Sequence, residues 1–143
     1  MGANTQPIFS KKGETQWPAQ ASGQIVTANT TPDLTSGTSY LVFTADANGS
    51  FLQRIRFKAT PAGNTTATVA RIWLNNGSTT GTGANNQLLD EVTLPAITAS
   101  ATAATSPIDW VANMVIPAGY KIYVTIHTGS ANGWSAVAIG GDY

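Results

Sequence analysis

Along most of the chain, apolar and polar residues alternate with a period of two, and no stretch repeats apolar positions at helical spacing. Thr and β-branched residues are frequent, and Gly and Pro interrupt the pattern at short intervals. This pattern predicts eight strands, at 24–29, 39–45, 51–60, 66–75, 87–94, 108–116, 120–128 and 134–140. Residues 1–22 are polar and irregular, with Pro7 and Pro18 limiting regular structure, and are expected to form an extended N-terminal arm to a domain at 23–143.

The breaks carry turn chemistry. Asn48-Gly49 lies between two alternating runs and marks a hairpin, because both residues tolerate positive φ. Pro61-Ala62-Gly63-Asn64 makes another reversal, and Pro117-Ala118-Gly119 fits a type II turn. Two connections are longer: 75–86, rich in Asn, Gly and Thr, and 95–107, an Ala/Thr segment too poor in large apolar residues for a core strand. Eight short strands at regular spacing in one domain predict an all-β fold. The expected architecture is a single antiparallel β-sandwich, jelly-roll-like by its strand count.

Alternation also assigns faces. In 51–60, Phe51, Ile55, Phe57 and Ala59 share one face; Leu52, Arg54, Arg56 and Lys58 share the other. In 120–128, Ile122, Val124 and Ile126 point inward, and Lys121, Tyr123, Thr125 and His127 outward. In 108–116, Trp110 and Met114 face the core, while Val111 and Val115 on the other face predict a strand covered on both sides.

Composition explains how such strands can be lean. Of 143 residues, 21 are Thr, 21 Ala, 10 Ser, 10 Asn and 14 Gly, and only 10% are charged, against about 25% in an average domain. Lys+Arg and Asp+Glu are 7 each, so the net charge is zero and phosphate-driven nucleic-acid binding is not expected. No Cys is present, which excludes disulfides, thiolate metal sites and Cys nucleophiles. The opening residues lack the apolar core of a signal peptide and no apolar run approaches membrane-spanning length, so a soluble, cytosolically made chain with no membrane partner is expected.

A search for reaction chemistry yields little. His127 is the only His, so a multi-histidine metal cage cannot be built and any Ser-His-Asp triad would have to use it. Asp90 and Glu91 are adjacent in a strand and face opposite ways, the wrong arrangement for paired acid and base. The 81–86 run begins like a dinucleotide fingerprint but lacks the final Gly, and 46–49 lacks the ligand series of a calcium loop. Sequons at Asn29, Asn48, Asn64 and Asn76 follow from a composition rich in Ser and Thr. The expectation is a non-enzyme with no cofactor and no metal.

What remains is surface. Arg54, Arg56 and Lys58, joined by Arg71, form a basic strip that reads either as a solvated face or as a docking strip for an acidic protein surface. Trp17, in the polar arm, reads as an aromatic anchor for a partner or as packing on its own domain; Trp73 shares the Val69/Arg71 face. The candidate protein-interface residues are therefore Trp17, Arg54, Arg56, Lys58, Arg71 and Trp73.

The polar Met-Gly-Ala-Asn-Thr-Gln opening, the neutral Thr/Ala/Gly/Asn-rich strands, the run from Ile116 to Val124 and the Trp134–Tyr143 end together carry a resemblance. The chain resembles the jelly-roll capsid decoration (cement) proteins of tailed bacteriophages. The resemblance implies a structural protein made in the host bacterial cytoplasm and placed on the outer capsid surface of the virion. Its partners would be the major capsid protein and further copies of itself, as a homodimer or homotrimer, and no catalytic residues come with it. The competing expectation is a carbohydrate- or receptor-binding β-sandwich of a phage tail or fibre, favoured if Trp73 or Trp134 is exposed beside a loop groove.

Overall fold

In the computed structural model, described for residues 10–19, 23–61 and 63–143, the alternating segments form eight strands. They are β1 (Lys12–Gln16), β2 (Tyr40–Thr44), β3 (Ser50–Ala59), β4 (Thr68–Asn75), β5 (Asn86–Leu94), β6 (Ile108–Ile116), β7 (Lys121–Ile126) and β8 (Trp134–Asp142). One short 3₁₀ turn, Gly83–Asn85, precedes β5. The strands make two antiparallel four-stranded sheets, ordered β1-β8-β3-β6 (sheet I) and β2-β7-β4-β5 (sheet II). Successive strands alternate between the sheets except β4 and β5, which pair within sheet II, a jelly-roll-like order, so the fold is an all-β sandwich as the pattern predicts. Among the described residues no helix is long and apolar enough to cross a membrane.

The inward faces meet in one cluster that includes Phe43, Leu52, Ile55, Phe57, Ile72, Ile122 and Trp134. Ile122, Val124 and Ile126 are buried as alternation requires. At β3 the alternation breaks. Between Leu52 and Arg54 the register shifts against both β8 and β6, and Asn113 on β6 takes a φ of 45°. This bulge turns Leu52 inward to full burial and leaves Phe51 half-buried, reversing the expected assignment of those two residues. Beyond Gln53 the expected faces hold: Ile55, Phe57 and Ala59 are buried, and Arg54, Arg56 and Lys58 are not.

The strand count of eight is right by exchange. Segment 24–29 makes only isolated bridges, Ile25 to Trp134 and Ala28 to Ile126. Those two partners belong to different sheets, so the segment crosses the end of the sandwich and cannot extend either ladder. The Tyr40 hydroxyl holds it there, accepting from the Val26 and Thr27 amides at 3.0 and 2.8 Å. The eighth strand is instead β1, inside the segment expected to be irregular, paired with β8 from Lys12↔Asp142 to Gln16↔Ala138. Residues 1–9 and 20–22 of the expected arm lie outside the described residues.

β1 and β2 are the edge strands at one flank of the sandwich, and β6 and β5 those at the other. The first flank is closed: the Gln16 amide donates to the Thr44 carbonyl and accepts from the Thr44 amide, both at 2.8 Å. The second flank is open, and there the partly buried members of the cluster gather, among them Leu89, Val92, Ile108, Trp110, Ala112 and Met114. Trp110, expected in the core, is half-buried at this opening, where its indole N–H donates to Asp90 Oδ2 at 2.7 Å.

Candidate protein-docking surface

β3 carries Arg54, Arg56 and Lys58 on the outer face of sheet I, one strand in from the open flank. Arg56 forks onto Asp109 of β6, with Nε–Oδ1 at 2.7 Å and Nη2–Oδ2 at 2.8 Å. Arg54 shares the same carboxylate at 3.7 Å, and its buried Nε has no partner. The Lys58 ammonium donates to the carbonyl and hydroxyl oxygens of Thr105 in the 95–107 loop. One carboxylate thus faces two guanidinium groups, and the strip stays positive. Arg71 does not join it. It lies on sheet II and pairs with Glu91 at 2.9 Å.

The neighbouring strand supplies the apolar part. Val111 and Val115 of β6 are 61% and 58% exposed, so the strand expected to be covered on both sides is bare on its outer face. Val111 sits opposite Arg54 and Val115 opposite Phe51. Its free edge carries little charge, although the bulge at Asn113 interrupts it. β1 carries exposed Lys12 and half-buried Glu14; β5 carries Asp90 and Glu91, and the Asp90 carboxylate accepts the Glu91 amide. β2 is covered by Gln16. β6 has nine residues, no Lys, Arg or Pro, and a single charge at Asp109 that is already paired. Among the described residues its backbone bonds only to β3. A long, largely apolar edge can pair with another chain; proteins that avoid such contacts place charge, Pro or a bulge there, and of these β6 has the paired Asp109 and the bulge at Asn113.

The other aromatic candidates separate. Trp73 lies on the outer face of sheet II yet is only 3% exposed, its indole N–H donating to Thr125 at 3.1 Å. Trp134 is fully buried. Neither offers the exposed platform on which the carbohydrate expectation was conditioned. Trp17 is 61% exposed just beyond β1. Leu41, Leu88, Val111 and Val115 are exposed apolar positions that alternation alone does not reveal, because it cannot say which strand ends at an edge.

Among the described residues no three His, Cys, Asp or Glu side chains converge on a common point, and His127 is exposed after β7. Asp90 and Glu91 diverge to Trp110 and Arg71. A cavity of about 290 Å³ beneath the 95–107 loop is walled by small side chains such as Ala59, Ala99, Ala103 and Ala104.

The acid response of this face has a defined sign. The hydrogen bond from Arg56, reinforced by the charges of Arg56 and Arg54, holds the Asp109 carboxyl below its usual range. The Trp110 indole and then the Glu91 amide do the same for Asp90. A depressed folded-state value stabilises the fold above the unfolded carboxylate pKa of about 4. That contribution disappears as pH falls through the lower folded value. The thermal midpoint should therefore decline below about pH 4, and Asp109→Asn should flatten part of that decline. Thermal unfolding of both chains across the acid range checks this.

Comparison of the chain with family models, curated proteins and solved structures returned no match.

Proposed function

We propose that the chain is a structural virion protein, a capsid decoration (cement) protein that binds the outer surface of the major capsid protein shell and stabilises it. The observation that carries this reading is the β5–β6 flank. There the core is left partly open, β6 presents a free edge with Val111 and Val115 exposed, and Arg54 and Arg56 lie alongside. Apolar surface beside Arg suits the centre of a protein interface, which is more apolar than its rim and enriched in Arg. The retained positive charge gives an acidic shell surface a means of steering the chain into place.

The energetics favour a repeated lattice as the partner. One such contact is modest, but copies of the chain associated as a dimer or trimer would engage neighbouring shell subunits together. Linked contacts then sum by effective concentration. A rigid sandwich loses little entropy on docking, which suits a protein that works by contact alone.

The test is sedimentation with expanded shells that lack the chain. Purified protein should bind them saturably and raise their disruption temperature. Val111→Lys combined with Val115→Lys changes two exposed side chains, so the variant should fold and should bind at least tenfold more weakly, a loss of about 1.4 kcal/mol. Absence of saturable binding by the wild-type chain overturns the proposal. The competing reading, a carbohydrate- or receptor-binding module of a tail or fibre, has lost Trp73 and Trp134 as platforms; the groove beside Trp17 is its remaining support.

A further inference from the structure

The closed flank carries a feature that shell docking does not use. β1 ends at Gln16, whose amide is fixed on the Thr44 backbone, and Pro18 is buried. Trp17 is held between these two anchored residues, yet it is 61% exposed. Beside it, Leu41 of β2 pairs in register with Tyr123 of β7; Leu41 is 38% exposed and Tyr123 half-buried. Gln16, Trp17, Pro18, Ser39, Leu41 and Tyr123 line a groove of about 240 Å³.

We propose that this groove is a binding site for one neutral pyranose ring of a glycan. The chemistry of the walls selects that class. An indole, a phenol ring and Leu41 provide an apolar surface against which the C–H face of a sugar ring can lie. Hydrogen bonding is available at the rim: the Ser39 and Tyr123 hydroxyls make no side-chain hydrogen bond among the described residues. The Gln16 amide nitrogen has a second N–H beyond the one given to Thr44. No charged side chain lines the groove, so a carboxylate, sulfate or ammonium group would lose hydration there without compensation. The volume fits a single six-membered ring. A polyproline segment would need a run of successive pockets, and the groove supplies one. Burial already raises the Tyr123 phenol pKa, as expected for a partly desolvated wall.

Placement gives the site its use. The groove is on the β1–β2 flank, and the free β6 edge is on the β5–β6 flank. A chain docked through β6 would leave the groove facing outward, and many copies on one particle would multiply a weak contact with a glycan-bearing surface. The inference does not depend on the shell reading, since the isolated chain is sufficient to test it.

The experiment is titration of the full chain with a panel of neutral methyl pyranosides and a neutral-glycan array, with sialylated and sulfated glycans and a proline-rich peptide as comparators. Saturable binding to neutral sugars is expected, at about millimolar Kd for a single ring. Trp17→Ala should weaken it at least tenfold, and Trp17→Phe less, because phenylalanine keeps an aromatic face. Trp17 is mostly exposed, so both variants should unfold at the wild-type midpoint. No neutral sugar bound at about ten times that Kd overturns the proposal. So does binding unaffected by Trp17→Ala, or binding confined to the charged glycans or to the peptide. Shells are absent from this titration, so its failure and a failure of shell sedimentation are separate results.

Discussion

Valine at position 140 is expected to leave the chain unfolded at room temperature, and alanine there to cost about 3 kcal/mol or more. Gly140 of β8 pairs with Leu52 where β3 bulges. A Cβ at Gly140 would overlap the Phe51 carbonyl oxygen and lie 3.2 Å from the Leu52 Cα. Both obstacles are backbone of a central strand, hydrogen-bonded on both sides, so neither can move without opening sheet I. Domain stability is about 5–15 kcal/mol in total, and a clash of this kind consumes much of it. Urea unfolding followed by circular dichroism measures the loss. A Gly140→Val chain with the wild-type midpoint would show that β3 and β8 do not approach in this register.

The second large effect separates volume from polarity at Trp134. This residue begins β8, is fully buried, and its indole N–H has no hydrogen-bond partner. Trp134→Ala leaves a cavity beneath the crossing segment at Ile25 and should cost about 3–5 kcal/mol. Trp134→Phe keeps most of the ring and removes the orphaned donor, whose burial itself costs about 1–3 kcal/mol. The phenylalanine chain should therefore stay within about 1.5 kcal/mol of wild type. Equal losses for the two variants in the same urea experiment would contradict this account of the site.

Much of this fold is legible in the sequence because its inner faces are mostly apolar. Segments 51–60 and 108–116 match β3 and β6 to within a residue, and the inward run Ile122, Val124, Ile126 is buried throughout. β1 escapes the pattern for a physical reason. Lys-Gly-Glu-Thr-Gln has no apolar alternation, and it is a strand only because β8 offers it backbone partners. The bulge at Leu52/Arg54 is equally silent, since alternation carries no mark for an extra residue.

The site is half legible. Alternation places Arg54, Arg56 and Lys58 on one face, and they are there. It cannot place Asp109 across from Arg56, because strand order is not written locally, and the same ignorance joins Arg71 to a strip on the other sheet. Trp73 shows another limit. It sits outward with Tyr123 and is nevertheless buried. The loop before β2 is folded by Asn29, which donates to the Ser36 and Thr38 carbonyls, and the Asp33 carbonyl accepts from Asn86 at the start of β5. Neither that loop's path nor the burial of an outward-facing Trp73 leaves a periodic trace.

Attachment to a shell through the β5–β6 flank would take that flank out of solvent. Amide hydrogen exchange of the chain, free and bound to expanded shells, tests it most directly. The amides of residues 108–116 that point away from β3 should exchange rapidly in the free chain and slow at least tenfold on binding, while those of β1 and β2 stay unchanged. Protection confined to the β1–β2 flank, with β6 exchanging as in the free chain, would contradict it.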